Sequence, residues 1–243
     1  MARGSAKIRL YVEHPLAAGQ RVRLSREQAH YLFGVMRLQP GDAVALFNGV
    51  DGEWQADVVA AGRKDGELTC TERSAPLQLP PDLWLLAAPI RRERFAFTVE
   101  KAVELGAARV VPVQTEYTQD AKRVRVDKLR ATAIEAAEQC GGTWVPEIAE
   151  IAKLSDVLRD WDPARRILFC DEGLAGHVPA LPTDSGPWAI LIGPEGGFSP
   201  TERDRIAQMA CSHPISLGPR ILRAETAAVA AITLWQQTLG DWG

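Results

Sequence analysis

The chain has 243 residues, of which 46% are hydrophobic and 24% charged, and its formal net charge is −3. These values fit a globular protein of one large or two small domains and exclude a general polyanion-coating protein, while leaving room for a local basic face. No apolar run approaches the roughly 20 residues of a membrane span, and "MARGSAKIRLYVE" lacks the apolar core of a signal peptide, so a cytoplasmic protein is expected. Cys70, Cys140, Cys170 and Cys211 stand without Cys-x-x-Cys spacing; a zinc site or disulfide framework is therefore not expected.

"KIRLYVE" reads as a short strand. Ser25 then caps a helix predicted over "REQAHYLFGVMRL", where Tyr31, Leu32, Val35, Met36 and Leu38 recur at helical spacing. "AVALFNG", "GEWQADVVAAG" and "GELTCTER" are strands parted by Gly/Asp turns, the pattern of a small barrel or curled sheet. "SAPLQLPPD" reads as a linker. From Leu83 strands and helices alternate. "LWLLAAP" is followed by a helix over "RERFAFTVEKAVELG", and "ARVVPVQT" by a helix over "VDKLRATAIEAAEQCG". A strand at "WVPEIAEI" precedes a short helix capped by Ser155. "RRILFCDE" and "WAILI" are strands, and strand "HPISLG" leads to the last helix, "RAETAAVAAITLWQQTLG". The alternation predicts an α/β fold with a mostly parallel sheet. Residues 1–76 form a first, β-rich domain, 77–82 the linker and 83–243 the second domain.

The stretch "WAILIGPEGGFSPTERDRIAQM" concentrates the local signals. An apolar strand ends in Gly-Pro-Glu-Gly-Gly. Ser199, Pro200 and Glu202 then form a helix start with a capping box. Gly196 and Gly197 permit positive φ and close approach of a ligand to the backbone. In open α/β sheets ligands sit at such carboxyl-end loops. No lysine of a phosphate-cradling loop is present, and the carboxylate of Glu195 suits a ligand with hydroxyls or positive charge. A tight turn with no ligand explains the five-residue loop equally well. A second loop, "SLGPRILRAETA", also joins a strand end to a helix. Ile221 and Leu222 could cover a flat ring, and Glu225 and Thr226 stand at the helix start, either as a cap or as site residues. Basic clusters at "IRRERF" and "AKRVRVDKLR" are either solvated faces or an anion-binding surface.

"LIGPEGGFSPTE" followed by "LGPRILRAETA" resembles the bacterial 16S ribosomal RNA uridine-N3 methyltransferases, of the knotted SPOUT class. "HYLFGVMRLQPGD", "RRERFAFTVEKAVELGAARVVPV" and "EAAEQCGGTWVPEI" resemble further segments of that family, in the right order over nearly the whole chain. Two departures stand out. Gly142 replaces the usual arginine after Glu-Gln-Cys-Gly, and "TEYTQ" (115–119) replaces a Ser-Glu-Arg-like segment.

The resemblance implies a PUA-like RNA-binding β-barrel over 1–76 and a SPOUT domain over 83–243 with a trefoil knot around its mostly parallel sheet. It implies S-adenosyl-L-methionine as methyl donor, held around Ile192, Gly193, Glu195, Gly196, Leu217, Gly218 and Leu222. Uracil N3 must lose its proton as it is methylated. Arg223 is expected to stabilise the resulting anion, Glu225 is a candidate base, and His30 is a rival base or RNA contact. Arg37, Arg91, Arg94, Lys122 and Arg123 are expected on phosphates of 16S ribosomal RNA, within the small subunit. The resemblance also implies a homodimer; Ala227, Ala228, Ala230, Ala231 and Leu234 suit close helix contact, either between copies or within one core. No metal is required. The competing readings are an RNA-binding protein with a degenerate SPOUT domain, a SPOUT methyltransferase of another RNA, and a different nucleotide-using α/β enzyme.

Overall fold

The computed structural model describes residues 6, 8–62, 64–119, 121–176, 181 and 183–242. It divides into two compact units. One runs to Leu79 and takes in Ala137–Val145; the other comprises Pro80–Ala136 and the chain from Pro146 onward.

In the first unit β1 (Arg9–Tyr11), β2 (Arg21–Arg23), β3 (Ala43–Phe47), β4 (Glu53–Ala61) and β5 (Gly66–Ala75) form a sheet in the order β1-β3-β4-β5-β2. The β1–β3 pair is parallel and the rest antiparallel. Register shifts between β4 and β5 at Glu53/Trp54, Gln55/Ala56 and Val58/Ala60 curl this sheet around Leu10, Val22, Leu32, Leu46 and Leu68.

The predicted helix after Ser25 is shorter and differently wound. α1 (Arg26–Ala29) starts with a capping box between Ser25 and Gln28, and the chain then widens into a π-helical segment over His30–Val35. The Met36 amide donates to the Tyr31 carbonyl at 2.9 Å, five residues back. The wider turn advances each residue through a smaller angle, so the face inferred at α spacing does not stay inward. Leu32 is buried, but Tyr31, Val35 and Met36 are 37%, 58% and 42% exposed. Arg37 then takes a positive φ of 59°, which stops the helix before Leu38.

The segment around Gly142 is held within this unit. Arg9 donates to the carbonyls of Ala137 (2.6 Å), Glu138 (3.0 Å) and Gly142 (2.7 Å), and pairs with Glu53 at 2.6 Å. One guanidinium thus satisfies carbonyls at a helix end that have no intrahelical partner. Gly142 supplies a backbone acceptor here, a role that does not depend on the arginine side chain it replaces.

In the second unit β6 (Leu83–Ala87), β7 (Arg109–Gln114), β8 (Glu147–Ile148), β10 (Arg166–Cys170), β11 (Trp188–Ile192) and β12 (Ser212–Ile215) are ordered β12-β10-β11-β6-β7-β8, and β9 (Ala152–Lys153) pairs with β7. Every pairing is parallel. The helices are α2 (Arg92–Glu104), α3 (Val126–Cys140), α4 (Leu154–Arg159), α5 (Pro200–Gln208) and α6 (Ala224–Leu239). Ser155 lies inside α4; Lys153 occupies its N-cap and gives no side-chain bond. The single strand expected at "WVPEIAEI" is two short ones, β8 and β9. β11 is buried at all five positions, as expected of a central parallel strand.

α6 packs on α2 and β11 within the chain. Its inward face is Ala228, Ala231, Ile232, Trp235 and Gln236, so core packing accounts for part of its small-residue pattern. Gln236 is fully buried and donates to the Leu105 carbonyl at 2.7 Å, capping the end of α2. Gly106 there has a φ of +80°, and a Cβ on it would come within 2.7 Å of the Gln236 amide nitrogen. A side chain is thus excluded twice, by conformation and by space.

Candidate active site

The sheet order places β10 between β11 and β12, so the loops expected to wall one pocket do not belong to adjacent strands. The loop after β10 lies between them and forms a third wall that sequence reasoning missed. Together the carboxyl ends of these strands enclose an open cavity of about 260 Å³. Ile192, Gly193, Glu195, Leu217, Gly218 and Leu222 line it, as expected. Asp171, Glu172 and Arg220 also line it. The signal for the first two was the Asp-Glu-Gly that closes "RRILFCDEG".

The loop glycines have separable reasons. Gly193 lies against the ring of Phe198, which a Cβ would approach to 2.7 Å. Phe198 is 4% exposed and meets Phe169 edge-on at 5.1 Å, so it pins the loop to the core. Gly197 has a φ of +70°, and its missing Cβ leaves room for the Glu172 carboxylate. Gly218 has a φ of +112° with open space beside it. Gly196 departs from the expectation. It is exposed, its φ is not positive, it is not among the cavity-lining residues, and a Cβ there would make ordinary contact with Tyr117 at 3.5 Å.

α5 begins as its sequence predicts, with the Ser199–Glu202 capping box and Pro200 in the first turn. Glu202 does more than cap: its Oε1 also accepts from the Glu116 amide at 2.9 Å. The variant "TEYTQ" segment is thereby tied to α5, and its Thr115 and Thr118 hydroxyls are 2.9 Å apart. Arg203 of the same helix donates to Glu172 at 2.8 Å and pairs with Asp171 at 3.2 Å. These bonds fix the acidic wall of the cavity. Cys170 lines the cavity from beneath; burial pushes its thiol well above the usual range, which leaves it neutral and unreactive.

Arg223 occupies the N-cap of α6, exposed on the cavity wall. Two other expected residues, Arg94 and Glu225, engage each other. Arg94, expected on RNA, donates to Glu195 at 2.7 Å and lies 3.7 Å from Glu225. Both carboxylates compete for its charge, so it is a clasp between the first cavity loop and the start of α6. Glu225, expected as a base, does not line the cavity. Its Oε1 faces Arg94, and its Oε2 is buried with no hydrogen-bond partner among the described residues. The physical reason is the Arg94 side chain, which reaches Glu225 from α2.

His30 and Arg37 are exposed residues of the first unit; the His30 ring lies over the backbone of Gly34, where a Cβ would meet Nδ1 at 2.9 Å. Arg91 and Arg123 line a groove at the start of α2, while Lys122 is exposed on a 3₁₀ turn but is not part of that lining. Among the described residues no cluster of His, Cys, Asp or Glu could hold a metal ion, and no helix is long and apolar enough to cross a membrane.

These features, a parallel sheet with glycine-bearing carboxyl-end loops around an acidic cavity in one unit and a curled, mostly antiparallel sheet in the other, define a class. Residues 77–236 match the family of the RNA methyltransferase domain and residues 24–69 that of the RNA methyltransferase PUA domain; the chain belongs to this RNA methyltransferase family. It is 30% identical over 229 residues to ribosomal RNA small subunit methyltransferase E of Rickettsia conorii, covering 92% of this chain and 93% of the relative. The crystal structure of a ribosomal RNA small subunit methyltransferase E from Neisseria gonorrhoeae bound to S-adenosyl methionine superposes with a TM-score of 0.87 at 28% identity, over 97% of this chain and 99% of that one. A putative methyltransferase from Legionella pneumophila in complex with the same cofactor gives 0.88 at 29% identity, over 98% and 100%.

Proposed function

We propose that this protein transfers a methyl group from S-adenosyl-L-methionine to N3 of a uridine in 16S ribosomal RNA. The observation that carries this is the acidic, glycine-shaped cavity at the ends of β10, β11 and β12 in a chain of the RNA methyltransferase family. The cavity fits the cofactor chemically. Main chain at Gly218, where a Cβ would meet nothing, admits a ligand lying flat on the backbone, and Ile221, 76% exposed, is free to cover an adenine ring. Asp171, Glu172 and Glu195 match a ligand that carries ammonium and sulfonium charge and ribose hydroxyls.

When bound, the cofactor supplies a methyl group on a sulfonium, so that transfer to N3 releases a neutral thioether while N3 gives up its proton. Arg223 carries the charge the uracil ring needs: from the N-cap of α6 its guanidinium stabilises the anion as N3 is deprotonated. Glu225 holds Arg94 instead of accepting that proton, which leaves for solvent. Arg94, through Glu195 and Glu225, keeps the two loops that carry the cofactor contacts and Arg223 in register. The first unit, with His30 and Arg37 on its surface, contributes to holding the RNA. A homodimer, a trefoil knot at the two C-terminal loops, action on the small ribosomal subunit and a cytoplasmic location complete the reading.

The test is transfer of labelled methyl from S-adenosyl-L-methionine to 16S ribosomal RNA lacking the modification, followed by mapping of the labelled nucleotide. Label on N3 of a single uridine is expected. Label on another base, or on another RNA only, rejects this assignment.

A further inference from the structure

A groove of about 830 Å³ opens in the second unit where the amino-terminal turns of α2 and α3 meet the segment between them. Arg91, Arg92, Arg123, Arg125 and Lys128 line it, against a single lining carboxylate, Glu135. Five cations in one groove, of which Arg125 is paired with Asp127 at 3.1 Å, are a strong local concentration in a chain whose formal charge is −3. The floor is apolar: Ile90, Phe95 and Leu129 are 6%, 3% and 7% exposed. Two further observations point to an anion. α2, of 13 residues, has Arg91 at its N-cap and no side-chain cap, so its first amides have no side-chain acceptor from that residue. Arg91 and Arg92 are exposed and form no ion pair among the described residues.

The geometry points to this groove as the seat of the sugar–phosphate backbone of the RNA substrate, with Arg91, Arg92 and Lys128 on successive phosphates and the first turn of α2 facing one of them. The inference rests on the reading that the substrate is RNA. It moves the phosphate face from Arg94 and Lys122 to Arg92, Arg125 and Lys128, which belong to the basic clusters of the sequence but were not among its expected phosphate contacts. Charge selects the occupant: a second copy of this chain brings net negative charge, but not the closely spaced row of charges that a polynucleotide offers five clustered cations. Contacts of this kind position the strand and carry no sequence information.

The experiment compares the wild-type chain with the triple variant Arg91→Ala/Arg92→Ala/Lys128→Ala. Affinity for unmodified 16S ribosomal RNA is measured from 50 to 200 mM salt, S-adenosyl-L-methionine affinity by calorimetry, and oligomeric state by sedimentation. Each lost phosphate contact removes about 0.7–0.9 from the log–log salt slope, so the variant slope should be shallower by about 2–3. Cofactor affinity and sedimentation should not change. The charge-conserving triple variant Arg91→Lys/Arg92→Lys/Lys128→Arg should keep the wild-type slope, because the slope counts the phosphates neutralised and either cation neutralises one. A wild-type slope in the alanine variant overturns the proposal, as does altered sedimentation with RNA binding intact, which assigns the groove to a second copy. A wild-type protein that neither binds nor methylates the RNA rejects the functional reading itself, and the inference with it.

Discussion

The two concave sites of the methyltransferase unit are built from different material. The cavity at β10, β11 and β12 is shaped by main chain: Gly193 accommodates Phe198, Gly197 accommodates Glu172, and Gly218 turns through positive φ. The groove at α2 and α3 is shaped by the ends of long cationic side chains over a buried apolar floor. A site made of backbone is intolerant, because a single added carbon must displace a loop. A site made of flexible charges is graded, because each charge acts nearly independently through a screened potential. The difference teaches where function can be removed at a stroke and where it can only be eroded.

The largest effect should come from the one side chain on which the cavity's proposed chemistry depends. Arg223→Ala should lower single-turnover methyl transfer by on the order of 100- to 1000-fold, the usual cost of losing one preorganised donor at a developing anion. Cofactor and RNA affinities should stay near wild type. Raising the pH from 7 to 9.5 should recover part of the loss, because more uracil N3 is then already deprotonated. Rates within a few-fold of wild type, with the same pH profile, would make Arg223 a structural N-cap only and move the anion-stabilising charge elsewhere.

Gly197→Val probes the backbone itself. A β-branched residue is strained at a φ of +70°, and its Cβ would collide with the Glu172 carboxylate held by Arg203. Cofactor affinity should fall by at least about tenfold, equivalent to about 1.4 kcal/mol. Gly196→Ala, one residue away and in ordinary contact distance of Tyr117, should change it by less than about threefold. Calorimetry on both variants decides the matter; equal affinities would show that neither glycine shapes the cavity.

Much of this was legible in sequence, for physical reasons. β11 announces itself as an unbroken apolar run, and the Ser199–Glu202 box is a local code that needs no tertiary context. Six of the residues expected at the cofactor indeed line one cavity, since loops at strand ends inherit their place from the strands. Strand order was not legible. Nothing local in "RRILFCDEG" says that β10 inserts between β11 and β12, so the Asp171–Glu172 wall went unseen. The engagement of Arg94 with Glu195 and Glu225 was equally hidden, because the partners lie 101 and 131 positions along the chain. In the first unit the π-helical segment defeated the periodicity argument, which assumes one fixed angle per residue.

Ser199→Ala separates the cavity's shape from the stability of its support. The hydroxyl of Ser199 accepts from the Glu202 amide, and Glu202 in turn serves Glu116. Losing the cap should cost about 1 kcal/mol of unfolding free energy, within a range of roughly 0.5–2. The loop geometry is also pinned by buried Phe198, so cofactor affinity should drop by no more than about threefold. Denaturant melts and calorimetry on the same preparation give both numbers. A large affinity loss with little loss of stability would mean that the cavity depends on α5 directly, and would bring its behaviour closer to that of a side-chain site.

The smallest effect, and the sharpest test of the comparison, is additivity. In the groove, Arg92→Ala and Lys128→Ala each remove one cation, and each should flatten the RNA salt slope by about 0.7–0.9. The double variant should show the sum, because separate phosphates are engaged and the two cations, both of which line the groove, do not pair with each other. In the cavity the corresponding pair is Gly197→Val with Arg94→Ala. Both disturb the same loop, one through backbone conformation and the other through release of Glu195, so the second change should add little once the first has displaced the loop. Salt titrations of the three groove variants and cofactor titrations of the three cavity variants make two double-mutant cycles. A coupling near zero in the groove and clearly non-zero in the cavity upholds the distinction between a site of charges and a site of main chain. Strong coupling in the groove would instead mean that Arg92 and Lys128 hold a single phosphate, and the bound strand would then touch fewer phosphates than its cations number.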